Sequence, residues 1–318
     1  MKVPYSVLSI PFWRAYWITL RPYLMFVSGV SGLTGLALAG AMDQILFWCL
    51  LASFFLSYGL GQALTDVFQT DTDSISSPYR PLTQGSIRPR QVLIVSLFGL
   101  ALCGVAFFMG NIRTLPLTVL GVIGLATYTP FKRKWWGGPL WNSWIVALLP
   151  VIGYLCGSNG LSAPFGSVTL WLTVGSTFFS YAIFVLLGYF KDISADRATG
   201  YNTFPVVFGW NRAVLMSLVY CFATTLFSVP LMYLANAALS AWGLWTVGTL
   251  ALYYSHYLMY RIKNEHEAHH AIAYVVRGYV MLHLGEAAAL RADFLIIAVI
   301  FYLAFEAILY VRPERTQI

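Results

Sequence analysis

The chain has 318 residues, 59% hydrophobic and 10% charged, with the apolar residues in long runs. That composition excludes a soluble domain and marks a polytopic membrane protein. The formal charge of +7 does not read as nucleic-acid binding, because the bases are spread over short segments between apolar runs, where they orient a chain in a bilayer.

In chain order, Met1 to Pro22 lacks the length, flanks and cleavage site of a signal peptide, so the first apolar run is expected to stay as a span. Apolar stretches follow at 17–39, 44–64, 91–109, 114–129, 141–157, 167–189, 211–235, 239–260 and 294–311, each near the ~20 residues of a spanning helix, with 114–129 short. The expected fold is an all-α bundle of nine transmembrane helices forming a single domain over 1–318. The stretch 271–290 carries Arg277, His283 and Glu286 and fits a tenth span, a re-entrant segment or an interfacial helix. Cys49, Cys103, Cys156 and Cys221 each stand alone in an apolar run and read as packing residues, not disulfides or metal ligands.

Bases cluster on alternate connections. Lys2, Arg14 and Arg21 precede or enter span one. Arg80, Arg88 and Arg90 follow span two, and Lys132, Arg133 and Lys134 follow span four. Lys191, Arg197 and Arg212 follow span six, and Arg261 and Lys263 follow span eight. Together these are 14 of the 19 bases, and the asymmetry places the N-terminus on the cytoplasmic side. Nine spans would leave Arg312 and Arg315 outside, a conflict that ten would remove.

Acid is scarce, yet Asp66, Asp71, Asp73, Asp192 and Asp196 hold five of the twelve acidic residues and sit at the cytoplasmic ends of spans two and six. A carboxylate at membrane depth costs about 2.5 to 3.5 kcal/mol, so clusters imply a compensating cation or a watery cavity. Their placement four spans apart matches two related halves, 17–157 with its motif at 62–73 and 167–311 with its motif at 192–196. If the second span continues as one helix of about 100° per residue, Gln62, Asp66 and Asp73 fall within about 40° of each other and Asp71 points away. Asp192 and Asp196, four apart, would share a face about 6 Å apart. Oxygen ligands without nearby His or Cys favour Mg²⁺, which bridges to substrate phosphates.

Arg80, Lys191, Arg197, Lys132 and Arg133 flank these acids. Carboxylates holding Mg²⁺ beside bases holding phosphate oxygens would clamp a diphosphate as a leaving group. The apolar bundle beneath requires a greasy tail, hence an isoprenyl diphosphate. The Lys132–Lys134 run also fits a plain topology anchor.

The stretches Gln62 to Gly85, ending PYRPLTQG, and YFKDISADRATGYNTFPVVFG at 189–209 resemble the two Asp-rich signatures of the UbiA superfamily of intramembrane prenyltransferases. Arg21-Pro22 and YTPFKRK at 128–134 are similar to further family segments. The resemblance implies a nine-helix bundle with a cytosolic cap over a central cavity, Mg²⁺-dependent ionisation, and prenyl transfer to an aromatic or other lipophilic acceptor. It also implies metal-binding roles for Asp192 and Asp196 and a basic role for Lys191. The first signature departs from the family's Asn-x-x-x-Asp-x-x-x-Asp. Counting back from PYRP without gaps puts Thr65, Gln69 and Asp73 at its positions, whereas a small insertion puts Gln62, Asp66 and Asp71 or Asp73 there; helix phase favours Gln62, Asp66 and Asp73.

The EHEAHH run at 265–270 reads as a solvated loop, its spacing offering no enclosed metal set. Most aromatics read as interface belts and packing, with Tyr128 the aromatic expected to line a cavity and steady a cation. Two rivals accompany the prenyltransferase reading: a terpene cyclase, which ionises the same substrate without an acceptor, and a transporter, against which the acids lie at helix ends rather than near the midplane.

Overall fold

In lipid every backbone polar group must be satisfied internally, so long apolar runs can be buried only as helices or closed barrels; here they are helices. The computed structural model describes residues 4–163, 165 and 167–312; Lys2 and Arg315 lie outside them. The helices are α1 (Ile10–Leu20), α2 (Met25–Leu38), α3 (Gln44–Asp66), α4 (Thr70–Ser76), α5 (Pro89–Gly110), α6 (Thr114–Lys132), α7 (Gly137–Leu155), α8 (Ser158–Ser162), α9 (Val168–Gly188), α10 (Ile193–Ala198), α11 (Phe204–Phe208), α12 (Trp210–Leu234), α13 (Leu239–Ile262), α14 (Ala268–Leu290) and α15 (Phe294–Tyr310). Among the described residues six, α3, α5, α6, α7, α9 and α12, are both long and apolar enough to cross a membrane, and α15 and the segment Pro22–Leu38 are shorter apolar helices.

The first expected span is not one helix. Pro22 disfavours helical geometry at the residue before it, and Arg21 sits in the left-handed region at φ 51°, ending α1. A 3₁₀ turn, Pro22–Leu24, then starts α2, every residue of which is buried. The break turns the Arg21 side chain into the bundle instead of leaving it at the surface.

The stretch left open at 271–290 is one unbroken helix, α14, with most of its residues buried, which excludes a re-entrant loop or a surface helix. It runs antiparallel to α13 at close range: a Cβ at Gly248 would strike the Leu282 backbone, one at Gly278 would meet Gly248, and one at Gly285 would meet Trp245. Its polar residues are satisfied within the bundle. Glu286 accepts from Ser176 of α9 at 2.6 Å and pairs with His283 Nδ1 at 2.6 Å, while His283 Nε2 meets Ser180 at 2.9 Å. Arg277 pairs with Glu306 of α15 at 2.7 and 2.9 Å.

Ring contacts give α15 its direction. Phe294 lies against Phe47, at the start of α3, while Phe301 and Phe305 lie against Phe26, beside Arg21. The last helix therefore returns to the end of the bundle where α3 finishes. Among the described residues six helices are long and apolar enough to cross a membrane, and α2, α13, α14 and α15 pack with them in the same bundle. The short α4, α10 and α11 gather at the end where α3, α6 and α9 terminate, which is the end carrying both Asp segments.

Candidate active site

A cavity opens at that end and descends between α2, α3, α5, α6, α7 and α9. Its polar mouth is lined by Arg21, Gln62, Thr65, Asp66, Gln69, Asp73, Arg80, Lys132, Lys191 and Asp192. Below them stand Tyr58, Tyr128, Tyr181 and Tyr189, and deeper still Leu100, Cys103, Phe107, Leu117, Leu125 and Ile152.

The first Asp segment does not continue as one helix. α3 ends at Asp66, and α4 restarts at Thr70 after a turn through Val67–Gln69. The single-helix phase argument therefore does not describe this segment, although Asp66 and Asp73 still reach the same cavity by the reversal of the chain. Asp66 takes both oxygens to Arg21 Nη2, at 3.0 and 2.7 Å, and accepts from Gln62 at 2.8 Å. Arg80 Nη1 lies 2.5 Å from Asp73 and 3.9 Å from Asp66, so one guanidinium ties the two carboxylates together. Burial by itself would lower the pKa of Arg80, but Asp73 and Asp66 more than reverse this and hold it charged. Asp71 points away: it is exposed, paired with Arg133 at 3.0 Å and accepting from Tyr201 at 3.2 Å.

Gln69 and Thr65, the residues of the gapless register, are buried cavity residues too. Gln69 Oε1 accepts from Lys132 Nζ at 3.0 Å. Both registers thus converge on one site, and no insertion is needed to bring Asp73 into it.

The second segment also splits. Asp192 lines the cavity, whereas Asp196 does not: it is fully buried one layer behind. There it accepts from Thr72 and Thr203, each at 3.2 Å, and stands 3.7 Å from Lys132 Nζ. Of the two acids four apart, only Asp192, which caps α10, lines the cavity; Asp196 lies inside the first turn of that helix. Burial, reinforced by nearby Asp192, pushes the Asp196 carboxyl up to about 6 against the opposing pull of Lys132 and the two hydroxyls.

Lys132, read as equally a topology anchor, is buried in the cavity wall; its ammonium also lies 5.4 Å from the Tyr189 ring and 5.2 Å from the Tyr201 ring. Arg133 and Arg197 are exposed and do not line the cavity. Tyr128 is buried in it, its hydroxyl 2.8 Å from that of Tyr189. Glu265, placed in a solvated loop, instead holds the start of α10: its carboxylate accepts from the Ser194 amide at 2.9 Å and hydroxyl at 2.7 Å.

Sequence reasoning passed over Arg21 as a site residue. The signal was available, since a base followed by proline inside an apolar run needs a reason. The pairing of Glu265 with Ser194, 71 residues apart, had no comparable local signal.

Together these features define a membrane-embedded all-helical protein with a mixed-charge pocket above an apolar shaft. The UbiA prenyltransferase family matches residues 26–277, and this chain belongs to that family. A digeranylgeranylglyceryl phosphate synthase of Methanothrix thermoacetophila is 31% identical over 227 residues, covering 70% of this chain and 82% of its own. A UbiA homologue from Aeropyrum pernix K1 shares the fold at a TM-score of 0.70 and 16% identity, over 85% of this chain and 97% of that one. Another, from Archaeoglobus fulgidus bound to DMAPP and Mg²⁺, does so at 0.58 and 18%, over 93% and 99%.

Proposed function

We propose that the chain ionises an isoprenyl diphosphate at the polar mouth with Mg²⁺ and transfers the prenyl group to a lipophilic acceptor, with the mouth facing the cytoplasm beneath a cap formed by α4, α10 and α11. The observation that carries this reading is the pair Arg21 and Arg80. Both line the cavity, and the Nε–H of each is buried with no hydrogen-bond partner, a state costing about 1–3 kcal/mol per donor or more beside a charge. An anion entering the mouth would relieve it, and Lys132 and Lys191 line the same space.

The donors present also suit Mg²⁺. Among the described residues no three acidic, His or Cys side chains come together as a ready metal cage, and Mg²⁺ usually takes one or two carboxylates plus substrate phosphates. Asp66, Asp73 and Asp192 are the carboxylates that would hold it, and bound there it would neutralise charge building on the leaving diphosphate. Arg80 and Lys132 would grip the phosphate oxygens by charge-assisted bonds. Asp196 would orient Lys132, and Tyr128 would present its ring to the prenyl cation. The tail would lie in the apolar shaft, away from water.

The bases on connections at the mouth end support a cytoplasmic mouth, and counting α2 and α13 to α15 as crossings as well would bring Arg312 to the same side. The likeness to digeranylgeranylglyceryl phosphate synthases favours a glyceryl phosphate lipid over an aromatic acceptor. Purified protein in lipid nanodiscs, given labelled prenyl diphosphate with and without candidate acceptors, should form prenylated acceptor with Mg²⁺ and none in excess EDTA. Cyclised hydrocarbon without acceptor would establish a cyclase instead, and full turnover in EDTA would overturn the metal role.

A further inference from the structure

Where a side chain caps the start of its own helix in this chain, it does so from an extended backbone. Asp43, at ψ 140°, accepts from the Leu46 amide at 3.0 Å; Ser9, at ψ 145°, accepts from Phe12 at 3.4 Å; and Ser167, at ψ 120°, accepts from Leu170 at 3.3 Å. That backbone lets a side-chain oxygen reach the orphan amides of the first turn. Asp192 holds the same place before α10 and differs: its ψ is 8°, its side chain makes no capping bond, and it lines the cavity. The amide it leaves open, that of Ser194, donates instead to Glu265, whose other oxygen accepts from the Ser194 hydroxyl.

Glu265 is itself fixed in place. Lys263, in the left-handed region at φ 48°, ends α13, and Asn264 caps the 3₁₀ turn Glu265–Glu267, accepting from the His266 amide at 3.1 Å and donating to Glu267 at 3.2 Å. This turn packs against the turn Tyr189–Lys191, which leads directly into Asp192. Trp210 adds a second tie between the same regions: its ring centroid lies 4.5 Å from that of Phe190, edge to face, and its Nε1–H donates to the Met259 carbonyl at 2.7 Å.

We infer that Glu265 is a positioning residue for Asp192: by capping α10 from the connection between α13 and α14, it leaves the Asp192 carboxylate free to face the cavity. This rests on the reading of Asp192 as a carboxylate that would hold Mg²⁺. An Asp before a helix can turn its side chain onto the amides of the first turn or away from them, and the helix dipole favours the first. With Glu265 in place the Ser194 amide already has a charged acceptor, so self-capping gains little. With Glu265 removed that amide is orphaned, and Asp192 relaxes toward the extended backbone seen at Asp43, drawing its carboxylate off the mouth.

The test reads metal binding directly, by electron paramagnetic resonance titration of Mn²⁺ into purified protein in lipid nanodiscs with inorganic diphosphate present, and thermal unfolding checks the fold of each variant. Glu265→Ala should weaken Mn²⁺ binding about five- to tenfold, the upper figure being about 1.4 kcal/mol and within the range of a lost cap. Glu265→Gln, whose amide oxygen still accepts from Ser194, should stay within about threefold of wild type. In an Asp192→Asn background, adding Glu265→Ala should change Mn²⁺ binding by less than about twofold, because a residue acting through Asp192 has nothing left to act on. Should Glu265→Ala fold poorly, Glu265→Asp, which withdraws the carboxylate by one carbon, makes the same test. Unchanged Mn²⁺ binding in folded Glu265→Ala, or its full loss repeated on top of Asp192→Asn, would overturn the inference and leave Glu265 a structural contact. Wild-type Mn²⁺ binding in Asp192→Asn would instead overturn the metal reading on which it rests.

Discussion

The two Asp-bearing segments look alike as sequence but are built to different ends. In the first, Asp66 and Asp73 both reach the cavity and share Arg80, with Arg21 closing on Asp66 from the opposite side. In the second, only Asp192 faces the cavity, while Asp196 is withdrawn behind Lys132 and held by Thr72 of the first segment and Thr203 of its own. The first segment sets its acids against guanidiniums in the mouth; the second holds one buried acid 3.7 Å from a lysine of the neighbouring wall. Motif spacing alone does not reveal this, because short helices and turns interrupt both segments.

The sharpest way to break the comparison is Arg80→Ala. It removes the cation joining Asp66 to Asp73 and, on the proposed function, a phosphate contact worth about 3 kcal/mol, so kcat/KM should fall on the order of 10² or more. Leaving Asp73 unpaired in a buried site costs further stability, about 3–5 kcal/mol for a buried pair. Thermal unfolding should therefore accompany the kinetics, and normal kinetics in a folded Arg80→Ala would remove the residue from the site. Arg80→Lys keeps the charge without the planar fork and should recover stability more than turnover.

Asp196→Asn tests the other arrangement. If Asp196 orients Lys132 and does not itself hold metal, turnover should drop about tenfold, at the lower edge of the effect of a supporting residue, while Mg²⁺ affinity stays near wild type. A loss of Mg²⁺ binding as large as in Asp192→Asn would show the two acids to be equivalent after all. The pH dependence has a definite sign. Asp196 holds its proton up to about 6, above the usual 3.8, so the metal-free folded state binds protons more readily than the unfolded chain and loses stability as pH rises from about 4 to 6. Activity runs the opposite way: wild-type kcat/KM should fall as acidification through about 6 removes the Asp196 charge from Lys132, and Asp196→Asn should lack that acid limb.

Glu265→Gln should act more gently. A charged acceptor on the Ser194 amide and hydroxyl becomes a neutral one, a difference of about 1 kcal/mol, so turnover should drop a few-fold; an unchanged rate would reduce Glu265 to a loop contact. Smallest is Asp71→Ala. The Asp71–Arg133 pair is roughly half exposed, and such pairs are worth about 0–1 kcal/mol. Melting temperature and turnover should stay close to wild type, and a collapse of activity would mean that Asp71 turns inward once substrate is bound.

Residue by residue, the site was legible where chemistry was unusual for its surroundings. Asp66, Asp73, Asp192, Arg80 and Lys191 stand out because charge is rare in this chain, and all five line the cavity. Gln69 and Thr65 emerged only as one of two registers, since an amide and a hydroxyl near a helix end carry no charge signal. The place of Phe107 in the cavity lining was invisible: a phenylalanine in an apolar helix reads the same whether it faces lipid, packing or a cavity.

Long apolar runs settled the class of protein and the helical form of its backbone, because hydrocarbon leaves a chain few other ways to satisfy its amides. The placement of bases settled which connections belong together, since positive charge marks one face of a bilayer. Tertiary structure decided the rest. It set the interruptions after Leu20 and Asp66 that redirect Arg21 and α4, the embedding of α14 through satisfied polar pairs, and the unlike surroundings of Asp192 and Asp196. Each depends on which distant side chain arrives within about 3 Å, the range over which a hydrogen bond acts, and composition and spacing along one helix carry no information about that.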